Sequence, residues 1–473
     1  MLRNLIIIGV IALLGYGSGF SNVAKAAEEK PDDTGAGESS SRYSDKVLGL
    51  KKQKDLPKRP EPLFELWQDY VNQGPYGYEF ELPTGMVVSP GLLLFGNLDT
   101  GLEITDNGVD DTAVDWVTTM DLFMNLTLSG TERVLVGMSP LKLENGTKTR
   151  YSFEPDSEFN NETNARLSVA FFEGELSEMF PNLDMEGRLP LDYEIAVGRQ
   201  PVIIQGGMLI QDTLDSVALT RSTVPLPGTN FARISGLVAW NDVHRSDNVD
   251  DNKGELYGLF SSVEVAHSTI ELDMAYVDST RAIGDQFNIA ASLIRPFIIL
   301  EHDVDTTIRV ATSYTPDEET AKATDGTLLY ASFSWAPKRT DDIIYLNAFG
   351  ALDSYAPAAR TPGGGGGPLG IVGLLFAGNG LAGPAINNLA NNTAYGGALG
   401  YQMFFSPALR RNLIFEFGGK LDNSTDGIDR FGVAVRYSQA LGQHVFFEVG
   451  GFAVEQESID DAFGLRTKLN VMF

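Results

Sequence analysis

The chain has 473 residues, with 63 acidic and 35 basic side chains, no cysteine and a net charge of −28. Nucleic-acid binding needs clustered Lys and Arg, so this balance excludes nucleic acid as a partner. The lack of cysteine excludes disulfides and thiolate metal sites. No motif in the chain predicts a cofactor or a bound metal.

Residues 1–26 have the pattern of an export signal. Arg3 supplies a positive start, Leu5 to Leu14 form a short apolar stretch, and Ala24-Lys25-Ala26 is a small-x-small cleavage site. The apolar stretch is shorter than the roughly 20 residues of a membrane-spanning helix. We therefore expect the mature chain to begin near Ala27 and to leave the cytoplasm.

Residues 27–90 are predicted to form a periplasmic N-terminal arm. The first half of this arm is polar and charged, which is typical of disorder. The segment from Phe64 to Val71 has two interpretations: a short helical turn that packs against the mouth of a barrel, or further disorder.

From residue 91 onward the apolar residues recur with period 2, which indicates β-strands. The last strand is the clearest case, because Leu465, Thr467, Leu469, Val471 and Phe473 share one face and the other face is mostly polar. A strand between lipid and a wet lumen has this pattern. Over the second half of the chain, long and short connections also alternate, as they do between extracellular loops and periplasmic turns.

The predicted fold class is therefore all-β, a closed antiparallel transmembrane β-barrel of about 18 strands over residues 91–473. The pattern is weakest over 177–229, so 16 strands is the alternative. The predicted strands are 92–104, 112–127, 133–142, 165–176, 191–200, 214–222, 230–241, 255–266, 269–278, 286–294, 305–315, 326–336, 343–352, 394–406, 411–421, 430–440, 443–454 and 463–473.

The export signal, the alternating strands and the C-terminal aromatic residue together resemble Gram-negative outer-membrane porins. Phe473, Val471, Leu469 and Leu465 match the terminal pattern that the barrel assembly machinery reads in that family. The resemblance implies an outer-membrane location, contact with membrane lipid and lipopolysaccharide, and Phe473 as an assembly signal.

A narrower resemblance is to alginate-export-like porins. It rests on Val197-Gly198-Arg199-Gln200, followed by Gly206-Gly207 and Asp212-Thr213-Leu214-Asp215. This resemblance implies a substrate-specific channel with Arg199 and Asp215 as its first site residues. The strongly Arg-rich lumen of that group is not evident in this sequence.

If the apolar face of each strand meets lipid, the charged residues on the other face line the lumen. These candidates for selectivity are Arg166, Arg233, Arg309, Arg436, Arg466, Lys468, Glu264, Glu271, Asp273, Glu416 and Glu448. Opposed basic and acidic walls would create a transverse field at a constriction. The alternative is a cross-strand network of ion pairs, which Arg436, Glu448 and Arg466 on successive strands would fit.

The longest predicted connection, 353–393, lies on the extracellular side by its parity from the C-terminus. Its glycine run, Gly363 to Gly367, is not followed by the Lys-Ser/Thr of a phosphate-binding loop. Its apolar part, Leu369 to Leu381, either folds into the barrel as a constriction or stays at the surface. Acidic residues in other loops either bind divalent cations that bridge lipopolysaccharide or form a solvated rim.

These features predict a passive diffusion channel for small hydrophilic solutes. A barrel enzyme is less favoured, because His244, His267, His302 and His444 lie near strand ends and no sequence cue places a nucleophile beside them. A structural barrel that binds other envelope proteins is a further alternative. The sequence is compatible with a monomer and with a trimer.

Overall fold

The computed structural model describes residues 60–67, 78–183, 191–245, 250–280, 283–299, 302–316, 324–338, 340–361, 369, 372–376, 393–405, 410–424 and 427–473. Within these ranges the chain forms a closed antiparallel barrel of 18 strands. No helix in this part of the chain is both long and apolar enough to cross a membrane.

The strands, in chain order, are β1 Gly91–Asp106, β2 Ala113–Thr127, β3 Arg133–Met138 with Thr149–Glu154, β4 Glu158–Asn160 with Leu167–Glu175, β5 Tyr193–Ile204, β6 Ile210–Arg221, β7 Phe231–Trp240, β8 Glu255–Val265, β9 Ser268–Asp278, β10 Gln286–Ile299, β11 His302–Tyr314, β12 Gly326–Trp335, β13 Ile343–Asp353, β14 Ala394–Phe404, β15 Arg411–Asp422, β16 Arg430–Ala440, β17 Val445–Gln456 and β18 Ala462–Met472. The predicted count of 18 strands is confirmed, and the first of them begins at Gly91.

The two faces of the wall differ as the alternation predicts. On β15 the outward Phe417 is 59% exposed, whereas the inward Glu416 is 2% exposed. Outward Phe431 and Val433 of the next strand are 54% and 58% exposed. A barrel with such an apolar outer face needs lipid around it, and its closure leaves the backbone groups of the wall paired.

The barrel closes where β18 pairs with β1. Val471 lies opposite Leu98, and the terminal Phe473 exchanges two backbone hydrogen bonds with Gly96, at 2.7 and 3.0 Å. A side chain at position 96 would meet the backbone oxygen of Asp121, which is why the strand has glycine there.

Next to Phe473, an N-terminal segment pairs with the part of β1 that β18 does not reach. Phe64–Leu66 forms a short strand that pairs with Leu92–Leu94, in line with the end of β18. Neither interpretation from the sequence, a helical turn or disorder, describes these three residues. Their backbone is extended because β18 ends at Phe473 and leaves Leu92–Leu94 of β1 without a partner strand, and Phe64–Leu66 pair with these residues.

The third strand is interrupted where the sequence predicts a continuous one. The predicted strand 133–142 ends at Met138, and a second segment, Thr149–Glu154, continues the pairing with β2. Pro140 lacks the N–H that the ladder needs, and the Ser139 hydroxyl bonds to Asp121 at 2.6 Å, so the chain leaves the wall at this point.

Candidate functional site in the barrel lumen

The hairpin between β5 and β6 leaves the wall and enters the lumen. Arg199 is the last residue of β5 that pairs with β4, and Asp215 is the first residue of β6 that pairs with β7. Residues 200–214, here called the inward hairpin, therefore extend beyond both neighbours. At the tip, Gln205 donates a 2.7 Å hydrogen bond to Asp273 of β9, and Gly206 lies against the guanidinium of Arg309 on β11.

Glycine is required at the tip of this hairpin. Gly206 has φ +62°, and a Cβ there would lie 2.7 Å from Nη1 of Arg309. A larger residue would be strained and would also displace the guanidinium.

The connection between β13 and β14 also enters the lumen, over its described residues 354–361, 369 and 372–376, here called the inward loop. Ala359–Arg360 forms a short parallel pairing with Ile210–Gln211 of the inward hairpin. The hydroxyl of Tyr355 donates to the carbonyl of Met208 at 2.9 Å, and Arg360 donates to the carbonyl of Gly207 at 3.0 Å. Burial lowers the pKa of Arg360 to about 10, which still leaves its guanidinium charged at neutral pH.

The two inward segments bury an apolar core inside the barrel. Leu209 and Ile210 of the hairpin and Leu375 of the loop are fully buried, and Phe376 packs edge-to-face on Phe349 of β13. These residues join Leu237, Leu256, Leu328 and other inward side chains of the wall in one cluster. The lumen is therefore partly filled with apolar side chains, which the expectation of a polar inner face did not include.

A carboxylate on the wall holds the end of the inward loop. Glu416 of β15 accepts hydrogen bonds from the backbone N–H of Leu374, at 2.9 and 3.0 Å, and of Leu375, at 2.6 Å. The hydroxyl of Tyr345 on β13 donates to the same carboxylate. Both oxygens of Glu416 are thus engaged by the chain itself.

Between the two inward segments and the wall lies a cavity of about 410 Å³. Two of the residues that line it, Arg309 and Arg436, are cationic, and both were predicted from the sequence. Tyr330 and Asn347, which are hydrogen-bonded to each other at 3.0 Å, also line it. Among the described residues, the lining is Gly206, Arg309, Tyr330, Ser332, Tyr345, Asn347, Val372, Gly373, Leu374, Ile414 and Arg436.

The predicted acidic residues of β8 and β9 lie on another part of the wall. Asp273 binds the hairpin tip, and Glu271 accepts a hydrogen bond from Ser292. Glu264 is paired with Phe231 across β7 and β8, where Arg233 lies opposite Ser262. The acids of β8 and β9 and the two arginines of the cavity are therefore on different strands. The hypothesis of opposed walls stays a prediction, because Arg309 on β11 is separated from β9 by a single strand.

The basic residues of the last strand form ion pairs. Arg466 lies 3.0 Å from Glu103, and Lys468 lies 2.8 Å from Asp99, both across the seam with β1. Arg436 and Glu448 are farther apart, at 3.9 Å. The ion-pair interpretation thus describes Arg466 and Lys468, and at longer range Arg436 with Glu448. The acidic partners on β1 were not identified from the sequence, although the alternation of β1 would have found them.

Arg199 and Asp215 are paired with each other but do not line the cavity. Arg199 lies 3.7 Å from Asp215 and 2.8 Å from Asp242, and it also contacts Glu144. Glu144 in turn binds Arg166, at 2.5 Å. These five residues form a separate ionic cluster beside the point where the hairpin leaves the wall.

The remaining predictions concern loops and histidines. His244 is buried and its Nδ1 lies 2.8 Å from Asp212 at the root of the inward hairpin. Across the described ranges, no group of three or more His, Asp or Glu side chains is arranged to hold a metal ion. The glycine run 363–367 lies outside the described residues, as does much of the apolar stretch that follows it.

Comparisons with known proteins agree with this architecture. No protein-family model matches the chain, and no curated protein matches it. Among solved structures, the outer membrane protein OpdK of Pseudomonas aeruginosa matches with a TM-score of 0.57 and 11% identity, over 81% of this chain and 98% of that one.

Two further matches are of the same kind. P. aeruginosa OccK5 (OpdH) matches with a TM-score of 0.54 and 10% identity, over 81% of this chain and 98% of that one. Acinetobacter baumannii OccAB3 has a TM-score of 0.54 and 9% identity, over 81% and 99%. This chain therefore has the porin-type barrel fold of these Gram-negative outer-membrane proteins.

Proposed function

We propose that this protein is an outer-membrane porin through which small hydrophilic solutes diffuse passively, and that its narrow point is the cavity between the two inward segments. The observation that carries the proposal is this cavity of about 410 Å³, which mostly polar residues of the wall and residues of both inward segments line. A space of this size admits small solutes and excludes polymers. The fold likeness to outer-membrane proteins supports the location.

The charges at the cavity favour anions. Arg309 and Arg436 line it. The neighbouring Glu416 is occupied by the inward loop and Tyr345, and Glu448, which lies 3.9 Å from Arg436, is not one of the lining residues. A constriction with this balance raises the local concentration of anions. One of the matching structures is of OpdK with vanillate, a small carboxylate, which agrees with this preference.

Passage rather than catalysis is the function that this lumen supports. The buried carboxylates Asp273 and Glu416 bind the inward segments, and the His244–Asp212 pair anchors the root of the hairpin. We further propose that lipid and lipopolysaccharide surround the wall and that the barrel assembly machinery inserts it.

Planar-bilayer recording of the purified protein tests the proposal. We expect discrete conductance steps and, in a KCl gradient, a reversal potential of the sign produced by anion preference. Absence of steps from a heat-modifiable, folded preparation would contradict a porin. Block of the current by one solute at micromolar concentration would favour the substrate-specific alternative, because a general pore needs weak interactions.

A further inference from the structure

One link between the wall and the inward loop is a carboxylate in a backbone cradle. Glu416 is 2% exposed, and its oxygens accept the successive N–H groups of Leu374 and Leu375 as well as the hydroxyl of Tyr345. Consecutive N–H groups that converge in this way form a concave site for an anion. Here the anion is a side chain of the wall.

The loop is shaped for this carboxylate. Gly373 has φ +62°, and a Cβ at that position would collide with Oε2 of Glu416. Glycine therefore allows both the left-handed backbone and the close approach of the carboxylate. Leu374 and Leu375 are at most 3% exposed, so water cannot replace the carboxylate as the acceptor for their N–H groups. If Glu416 lost its charge, these buried N–H groups would form weaker hydrogen bonds.

The segment held by Glu416 is also the rim of the cavity. Val372, Gly373 and Leu374 line the cavity opposite Gly206 of the inward hairpin. Any displacement of residues 372–376 changes the cross-section through which a solute passes.

We propose that Glu416 sets the aperture of the pore by holding Val372 to Phe376 against the wall, and that Tyr345 assists it. This inference rests on the proposed function, and it makes Glu416 a positioning residue that no passing solute needs to touch. The contribution is large because hydrogen bonds to an ionised acceptor are the strong ones.

The test is Glu416→Gln, which keeps the volume of the side chain and removes its charge and one acceptor oxygen. We expect the open-channel current to fluctuate between levels instead of holding one level, and Tyr345→Phe to have a smaller effect in the same direction. The matched control is Glu271→Gln, because Glu271 is an inward acid that accepts its hydrogen bond from Ser292 of the wall and not from the inward loop. A steady, wild-type current from Glu416→Gln would overturn the proposal.

A second measurement is independent of conduction. The chain has no cysteine, and Leu375 is fully buried, so Leu375→Cys should react slowly with a small water-soluble thiol reagent. Adding Glu416→Gln should raise the rate roughly tenfold, since a hydrogen bond to a charged group shifts an opening equilibrium by about that factor. An unchanged rate would overturn the proposed role of Glu416 even if the wild type conducts. A changed rate in a protein that never conducts would instead support the role of Glu416 and contradict the proposed porin function.

Discussion

At the scale of single residues, burial and pairing separate charges that the sequence pattern places together. Arg309, Arg436 and Arg466 all alternate inward, but Arg466 is 3.0 Å from Glu103, whereas Arg309 and Arg436 line the cavity. Ion pairs cancel much of their field at a distance. We therefore propose that the selectivity of the pore depends on Arg309 and on Arg436, whose distance to Glu448 is longer, at 3.9 Å.

Reversing one of these charges tests their role. A unit charge roughly 8 Å from an ion in water changes its energy by about 0.5 kcal/mol, so Arg309→Glu or Arg436→Glu should change it by about 1 kcal/mol, or roughly fivefold in local ion concentration. We expect the reversal potential to move toward cation preference with a conductance of the same order. The control is Arg221→Glu. Arg221 is the last residue of β6, at the end away from the inward hairpin, and its guanidinium lies 3.5 Å from Asp192. Equal shifts in all three variants would argue against a local effect.

Phe473 acts at the same scale but in assembly. Its backbone pairs with Gly96 at the seam, and it contributes nothing to the lining of the cavity. We predict that deleting Phe473 lowers the amount of protein in the outer membrane and leaves the conductance of assembled molecules unchanged. Quantitative immunoblots of membrane fractions and single-channel recording measure the two effects. Normal membrane levels after the deletion would refute the assignment.

At the scale of elements, the short strand Phe64–Leu66 completes an edge that β18 leaves open. It pairs with Leu92–Leu94, and its side chains Phe64 and Leu66 are 45% and 39% exposed, beside the 52% exposed Trp67. Aromatic residues at this level of a barrel fit the membrane interface. The segment therefore protects the part of the β1 edge that β18 does not cover.

Proline substitution tests this protection. Successive residues of a strand direct their backbone N–H groups to opposite sides, so the N–H of either Phe64 or Glu65 faces β1. The double substitution Phe64→Pro with Glu65→Pro removes that N–H whichever residue carries it. Each lost bond costs about 1 kcal/mol. We expect the unfolding temperature of the barrel, read from heat-modifiable gel migration, to fall. Glu61→Pro, which precedes the strand, should not lower it.

At the scale of the whole molecule, the connections between strands lie at two ends of the barrel, and Phe473 marks one of these ends. Residues 107–112 lie at the end opposite to Phe473, and the turn after β16 lies at the same end as Phe473. The proposed location makes these ends extracellular and periplasmic, respectively.

Cysteine labelling tests this orientation, because the chain has no thiol of its own. Val109 is 72% exposed and Leu441 is 51% exposed, so both accept a reporter. Val109→Cys should react with an impermeant maleimide on intact cells. Leu441→Cys should react only after the outer membrane is broken. The reverse result would invert the topology.

The sequence by itself predicted the barrel and its count of about 18 strands, because a period of 2 follows directly from strand geometry. It also located Arg309, Arg436 and Glu416 on the inward face. The sequence left open whether the apolar part of the connection 353–393 enters the barrel, and tertiary structure decided that the inward loop, together with residues 200–214, fills part of the lumen. Their contacts, such as those of Glu416 with Leu374, join segments about 40 residues apart or more and follow no local pattern. The same is true of Phe64–Leu66, whose extended backbone is imposed by the open edge of β1 and not by its own sequence.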